Sequence, residues 1–191
     1  MLINGDSLHE LAKLPDNSVD LIVTDPPYEI NFANWDKTGI TFQPEVWSSC
    51  FDVLKPGGYL AVFAYPRVYH KVGSVIESQG FEIIDVISAI YGNKVGMGYN
   101  VAKGIDKKLG VNPTRVGKRT RKYTTSVYQF GAGEEWEETV PTSELAKKYE
   151  GFNTVLPPSQ DLICIARKPL SEKTVVGNIM KHGTEIGRAH V

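Results

Sequence analysis

The residues best equipped for chemistry are Asp25 and Tyr28, in Thr24-Asp25-Pro26-Pro27-Tyr28. Two successive prolines can neither donate ladder hydrogen bonds nor continue a helix, so the apolar run before them, Leu21-Ile22-Val23, has to stop there. An acid and a phenol are then presented on a stiff loop at a strand's carboxyl end, the edge at which open α/β sheets bind ligands. Asp-Pro is also ordinary turn chemistry, and the residues alone read equally as a strand-terminating turn.

The elements that must position this corner alternate along the chain. Leu2-Ile3 forms a short strand, and Gly5-Asp6 turns it into a helix capped by Ser7 with Glu10 three residues on; Leu8, Leu11 and Leu14 share one face. Pro15-Asp16-Asn17-Ser18 breaks that helix and leads into the central strand ending at the corner. Residues 29–42 form a long polar and aromatic loop carrying Phe32 and Trp35. Pro44 opens a helix with a core stripe of Trp47, Cys50, Phe51 and Leu54, and Lys55-Pro56-Gly57-Gly58 ends it with a left-handed glycine. Strand 59–64, a helix from Pro66 burying Val72 and Ile76, and strand 81–91 follow. Strand, helix, strand, helix, strand predicts right-handed crossovers and a parallel α/β sheet. Residues 162–166 form a further buried strand, and Ser171 caps a last helix that turns Val175, Val176, Ile179 and Met180 inward and ends at Gly183.

From 92 to 158 the alternation stops. A basic block from Lys103 to Lys122, which includes Lys118, Arg119, Arg121 and Lys122, contains one acid, Asp106; Glu134, Glu135, Glu137 and Glu138 then surround Trp136. Such blocks are commonly solvated surface. The net charge of -1 hides this unevenness and does not exclude a nucleic-acid partner. The 191 residues suffice for one domain with a real core. Cys50 and Cys164 lie in apolar segments without metal-ligand spacing, so the expectation is two buried thiols in a reduced compartment and no metal. No apolar span approaches membrane length and no signal peptide is recognisable, which predicts a cytoplasmic protein without a membrane partner.

Asp25-Pro26-Pro27-Tyr28 resembles the catalytic motif of the amino-methyltransferases that act on DNA bases. The flanks agree: Gly5-Asp6-Ser7-Leu8 before it, and Lys55-Pro56-Gly57-Gly58, Ala166-Arg167-Lys168-Pro169-Leu170 and Lys181-His182-Gly183-Thr184 after it. The resemblance runs to Thr184 and is to the phage and bacterial members, including those of restriction-modification systems, whose catalytic half precedes the cofactor half. It implies part of a doubly wound, mostly parallel Rossmann-like methyltransferase sheet over 1–184, with the irregular basic insert of 92–158 as the DNA-contacting region.

The resemblance also implies the chemistry. S-adenosylmethionine is the cofactor, double-stranded DNA the partner, and the substrate the exocyclic amine of a flipped base, adenine favoured over cytosine. Asp25 and the Pro26 carbonyl hold the amine, Pro27 keeps the loop's shape, Tyr28 stacks on the base, and Phe32 and Trp35 add to its pocket. Asp6 and Asp25 lie on the cofactor side, and Lys118, Arg119, Arg121 and Lys122 touch DNA phosphates. For Asp6 a helix-start carboxylate is an equal reading, and Trp35 equally packs under its own loop. Phe130-Gly131-Ala132-Gly133 departs from the family's Phe-x-Gly-x-Gly. The expectation is therefore a C-terminally truncated fragment, inactive alone, whose residues 185–191 are a non-native tail. An RNA or protein-amide methyltransferase and a non-catalytic DNA-binding remnant are the alternatives.

Overall fold

The computed structural model describes residues 2–31, 33–91, 98–120, 135–154 and 160–184. The chain divides into two compact units, Met1–Asn93 with Pro158–Val191, and Lys94–Pro157.

The first unit holds α1 (Ser7–Leu11), β1 (Val19–Thr24), α2 (Pro44–Val53), β2 (Leu54–Ala64), α3 (Tyr69–Ser78) and β3 (Glu82–Ile90). The second unit contributes α4 (Val101–Lys108), β4 (Thr114–Thr120), β5 (Glu135–Val140) and α5 (Glu144–Lys148) before the chain returns to the first with β6 (Gln160–Arg167) and α6 (Val175–His182). The sheet of the first unit runs β1-β2-β6-β3. β1 pairs parallel with β2, and β6 pairs antiparallel with both β2 and β3. Three of the four strands therefore share one direction, and the strand read at 162–166 is inserted between two of them. β1, read from the sequence as central, lies at the edge of this sheet. Its Ile22 packs on the core, whereas Leu21 and Val23 are exposed.

The core follows the periodicities. Leu60, Val62 and Ala64 of β2 and Cys164 and Ala166 of β6 alternate onto one face, as period two requires. Trp47 and Cys50 of α2, Val72 and Ile76 of α3, and Phe81 close over them. Full burial of each large side chain is worth roughly 1.5–3 kcal/mol.

Four local expectations are corrected. Residues 2–4 form no strand. Asp6, not Ser7, caps α1: its Oδ1 accepts from the Leu8 and His9 N–H groups at 3.1 and 3.2 Å. Glu10 then falls one position too late for a capping box and pairs with Lys13 instead. Lys55-Pro56-Gly57-Gly58 is not a helix cap, because Leu54 is already extended and opens β2. Gly57, at φ +81°, is needed for a close approach: a Cβ there would collide with Asn178 Nδ2. Finally, Thr174 rather than Ser171 caps α6, and the helix presents Asn178 inward, with Val175, Val176, Ile179 and Met180 all exposed. The buried Asn178 amide is used at both ends, donating to the Pro56 carbonyl at 2.8 Å and accepting from the Ser171 N–H at 3.1 Å. That exchange ties α6 to the start of β2.

Lys168 secures the end of α2. Its Nζ donates to the Phe51 and Leu54 carbonyls at 2.7 and 2.8 Å and sits 4.6 Å from the Phe51 ring centroid. A cation here meets carbonyls that a helix end leaves unpaired.

The second unit, read as irregular, contains α4 (Val101–Lys108), the antiparallel pair β4 (Thr114–Thr120) and β5 (Glu135–Val140), and α5 (Glu144–Lys148). Asp106, buried, accepts from the Thr142 N–H at 2.8 Å, the Ser143 N–H at 3.1 Å and the Ser143 hydroxyl at 2.6 Å, joining α4 to the start of α5.

Candidate active site

β1 ends at Thr24, and Asp25 to Tyr28 follow its last residue. Tyr28 hydrogen-bonds through its hydroxyl to the Asp25 carboxylate. Its ring lies 6.0 Å from that of Tyr65, just past the end of β2, and Arg67 stands 5.3 Å over the Tyr65 ring. Tyr91, just past β3, hydrogen-bonds to Asp161, a buried acid near the start of β6. The carboxyl ends of β1, β2 and β3 and the amino end of β6 thus gather two acids and three tyrosines.

Burial, with Asp25 and Asp161 close by, holds the Tyr28 phenol far above its ordinary range, and the same causes raise Tyr91. Both stay protonated donors. Burial also pushes the Cys50 thiol up to about 11 and raises Cys164, so neither is poised as a nucleophile.

The loop after the corner is fastened from below. Asp36, 1% exposed, accepts from the Glu29 N–H at 2.8 Å and the Ile30 N–H at 2.9 Å. Glu29 and Asn31 are left-handed, at φ 55° and 63°. The Thr41 hydroxyl donates to the Pro27 carbonyl, and Trp47 Nε1, from α2, donates to the Thr41 carbonyl at 2.9 Å. The Pro26 carbonyl accepts no hydrogen bond among the described residues. An apolar cleft of about 400 Å³ opens beside the prolines, lined in part by Thr24, Pro26, Pro27, Ile40, Thr41 and Trp47.

Asp25, Pro26, Pro27 and Tyr28 are therefore contiguous at one sheet end. Trp35 lies in a short 3-10 turn, Asn34–Asp36, and is exposed, not packed beneath its loop. Asp6 has one carboxylate oxygen committed to α1. Lys118 and Arg119 lie on β4, in the second unit, paired with Glu135 at 3.3 Å and Glu138 at 2.6 Å. Phe32, Arg121 and Lys122 lie outside the described residues. Sequence reasoning missed Tyr65, Tyr91, Asp161 and Thr41. Asp161 carried a signal, an acid at the mouth of an otherwise apolar strand.

Residues 19–109 match the family described as DNA methylase, N6_N4_Mtase. The matched residues include the corner, α2, α3, α4 and the first three strands. The type II methyltransferase M.BglII of Bacillus subtilis is 36% identical over 86 residues, covering 43% of this chain and 22% of the relative. M.HpaI of Haemophilus parainfluenzae is 29% identical over 126 residues, covering 59% of this chain and 35% of the relative. M.HindIII of Haemophilus influenzae is 28% identical over 128 residues, covering 46% and 41%. The chain spans less than half the length of these curated relatives. Among solved structures, a Thermus thermophilus protein described as a DNA modification methylase, in complex with S-adenosyl-L-methionine, aligns at 18% identity and TM-score 0.47, over 90% of this chain and 55% of its own. The M1.HpyAVI–SAM complex aligns at 14% identity and TM-score 0.43, over 87% and 54%. No helix among the described residues is long and apolar enough to cross a membrane.

Proposed function

We propose that this corner is the amine-holding part of an S-adenosylmethionine-dependent DNA methyltransferase that acts on a base flipped from duplex DNA, adenine in preference to cytosine. The observation that carries the reading is the division of labour between the two prolines. Pro27's carbonyl is used internally by Thr41, while Pro26's carbonyl and the Asp25 carboxylate remain at the strand end as a pair of acceptors. The methylase match over the same residues supports it.

An exocyclic amine is a poor nucleophile because its lone pair is delocalised into the ring. Accepting its two N–H bonds at Asp25 and Pro26 turns the nitrogen so that the lone pair is free, and places negative charge where the amine becomes cationic in the transition state. Tyr28 supplies a stacking face, and its hydroxyl bond to Asp25 orients the carboxylate. Extruding the base costs a few kcal/mol of stacking, which aromatic contact partly offsets. The cofactor supplies an electrophilic methyl group on sulfonium sulfur. The donor set fits it in part: Asp25 stands at the reacting end, and Asp6 keeps its Oδ2 for a hydroxyl donor while Oδ1 caps α1.

Methylation mapping of DNA from cells expressing the protein from its full natural reading frame tests this. New N6-methyladenine that disappears with Asp25→Ala and with Tyr28→Ala supports the reading. Unchanged methylation in both variants refutes it.

A further inference from the structure

We propose that Asp36 and Thr41 are positioning residues for the amine-holding corner, acting through the backbone of 27–30 without touching the base. This rests on the methyltransferase reading above. The hydrogen bonds of Asp36 and Thr41 single them out.

The left-handed Glu29 turns two consecutive N–H groups, its own and that of Ile30, to one side. Successive amides turned together form a small cradle for an anion. Here the anion is internal: the Asp36 carboxylate spends one oxygen on each, at 2.8 and 2.9 Å, from a position 1% exposed. A non-glycine residue at φ 55° is costly and persists only where its surroundings over-determine it. The carboxylate provides that determination immediately after Tyr28. On the other side of the tyrosine, Thr41 holds the Pro27 carbonyl, and Thr41 is itself held by Trp47 Nε1 at 2.9 Å from the packed face of α2.

The corner is thus clamped at both flanks of Tyr28, by a hydroxyl before it and a carboxylate after it. The clamp also sorts the acceptors. With Pro27's carbonyl bonded inward, the peptide between Pro27 and Tyr28 is fixed, and Pro26's carbonyl is the one presented beside Asp25. If Thr41 lost its hydroxyl, either carbonyl could face the amine, in geometries that differ by the pitch of one peptide. Misplacement of about 1 Å can cost a reaction on the order of a hundredfold.

The test uses Asp36→Ala, Thr41→Val and Thr41→Ser, in the protein expressed from its full natural reading frame. Methyl transfer is measured alongside DNA affinity and melting temperature. The expected result is a fall in kcat of roughly tenfold to a hundredfold in Asp36→Ala and Thr41→Val. DNA Kd should stay close to wild type, and Thr41→Ser should retain activity. Added formate should restore Asp36→Ala, where chloride at equal ionic strength and neutral formamide should not, because the cradle needs an anion with two acceptor oxygens. The amide resonances of Glu29 and Ile30 should shift in Asp36→Ala and return as formate saturates. Wild-type kcat in both deletion variants, or amide resonances that ignore formate, would overturn the proposal. If Asp25→Ala retains full activity, the methyltransferase reading fails instead, and the formate titration of the amides still decides whether Asp36 is the clamp.

Discussion

Arg119 reaches Glu138 diagonally across β4 and β5, with Nη2 and the carboxylate 2.6 Å apart, and Arg115–Glu137 and Lys118–Glu135 are further diagonal ion pairs between the same strands. Arg115, Lys118 and Arg119 of the basic block and Glu135, Glu137 and Glu138 of the acidic patch thus lie on paired strands. These pairs are exposed and worth about 0–1 kcal/mol each, so a phosphate can displace the glutamates at small cost. Proposed as a DNA contact, β4 carries a built-in competitor. Replacing Glu135, Glu137 and Glu138 by Gln should tighten DNA binding and steepen its salt dependence. Lys118→Ala with Arg119→Ala should weaken binding across all sequences and flatten it. Fluorescence anisotropy over a salt series measures both, and unchanged slopes would remove β4 from the interface.

Tyr28→Phe separates stacking from hydrogen bonding. It keeps the ring and loses the hydroxyl bond to Asp25. Methyl transfer should fall by about tenfold, the scale of one lost hydrogen bond to a charged group, and by much more in Tyr28→Ala. Because the phenol is held above its ordinary range, wild-type activity should show no alkaline limb from Tyr28 below about pH 10. A limb present in wild type and absent in Tyr28→Phe would contradict this.

Asn178 and Gly57 form one joint. Asn178→Ala leaves the Pro56 carbonyl and the Ser171 N–H without their partner, at about 1–3 kcal/mol for each group that stays buried. Gly57→Ala forces a Cβ against the Asn178 amide and a left-handed conformation costing roughly 1–2 kcal/mol. Urea denaturation should show both losses. In the double variant the sum should be less than additive, since removing the amide relieves the clash.

Acid should weaken the second unit through Asp106. Its hydrogen bonds from Ser143 and Thr142 hold the carboxyl below its ordinary value of 3.8. Above that value the group is ionised folded or unfolded, and the contribution is fully present. As pH falls through 3.8 the unfolded chain takes up the proton first, and the contribution is lost by the time the folded carboxyl is protonated. Wild type and Asp106→Asn should therefore differ in thermal stability near neutrality and converge as pH falls below 3.8. A difference that stays constant with pH would assign the bonds no ionic character.

Much of this was legible in the residues. The Trp47, Cys50 and Val72, Ile76 spacings reveal α2 and α3 because helical periodicity is local, and the Pro-Pro pair marks the corner because proline acts wherever it stands. The position of β6 was not legible. Its apolar run announces a strand, but nothing in 162–166 says that its neighbours are β2 and β3 or that it runs against them. The inward face of α6 was misread because a valine-rich stripe outweighs one asparagine until that asparagine's backbone partners, at 56 and 171, are known. Opposite charges on 115–119 and 135–138 could have been read as cross-strand pairs, but only once the hairpin was assumed. Asp36 was visible beside Trp35, yet its task depends on the turn made by Glu29.

The insertion of β6 between β2 and β3 also sets a schedule for synthesis. Each of those strands lacks its neighbour until the ribosome has delivered residues 160–167, long after Ile90 has emerged. The second unit, built from contacts closer in sequence, can fold in the meantime. During that interval one edge of β2 and the whole of β3 lack their pairing partner, the state in which aggregation competes with folding. A pause between Ile90 and residues 160–167 would prolong that exposure.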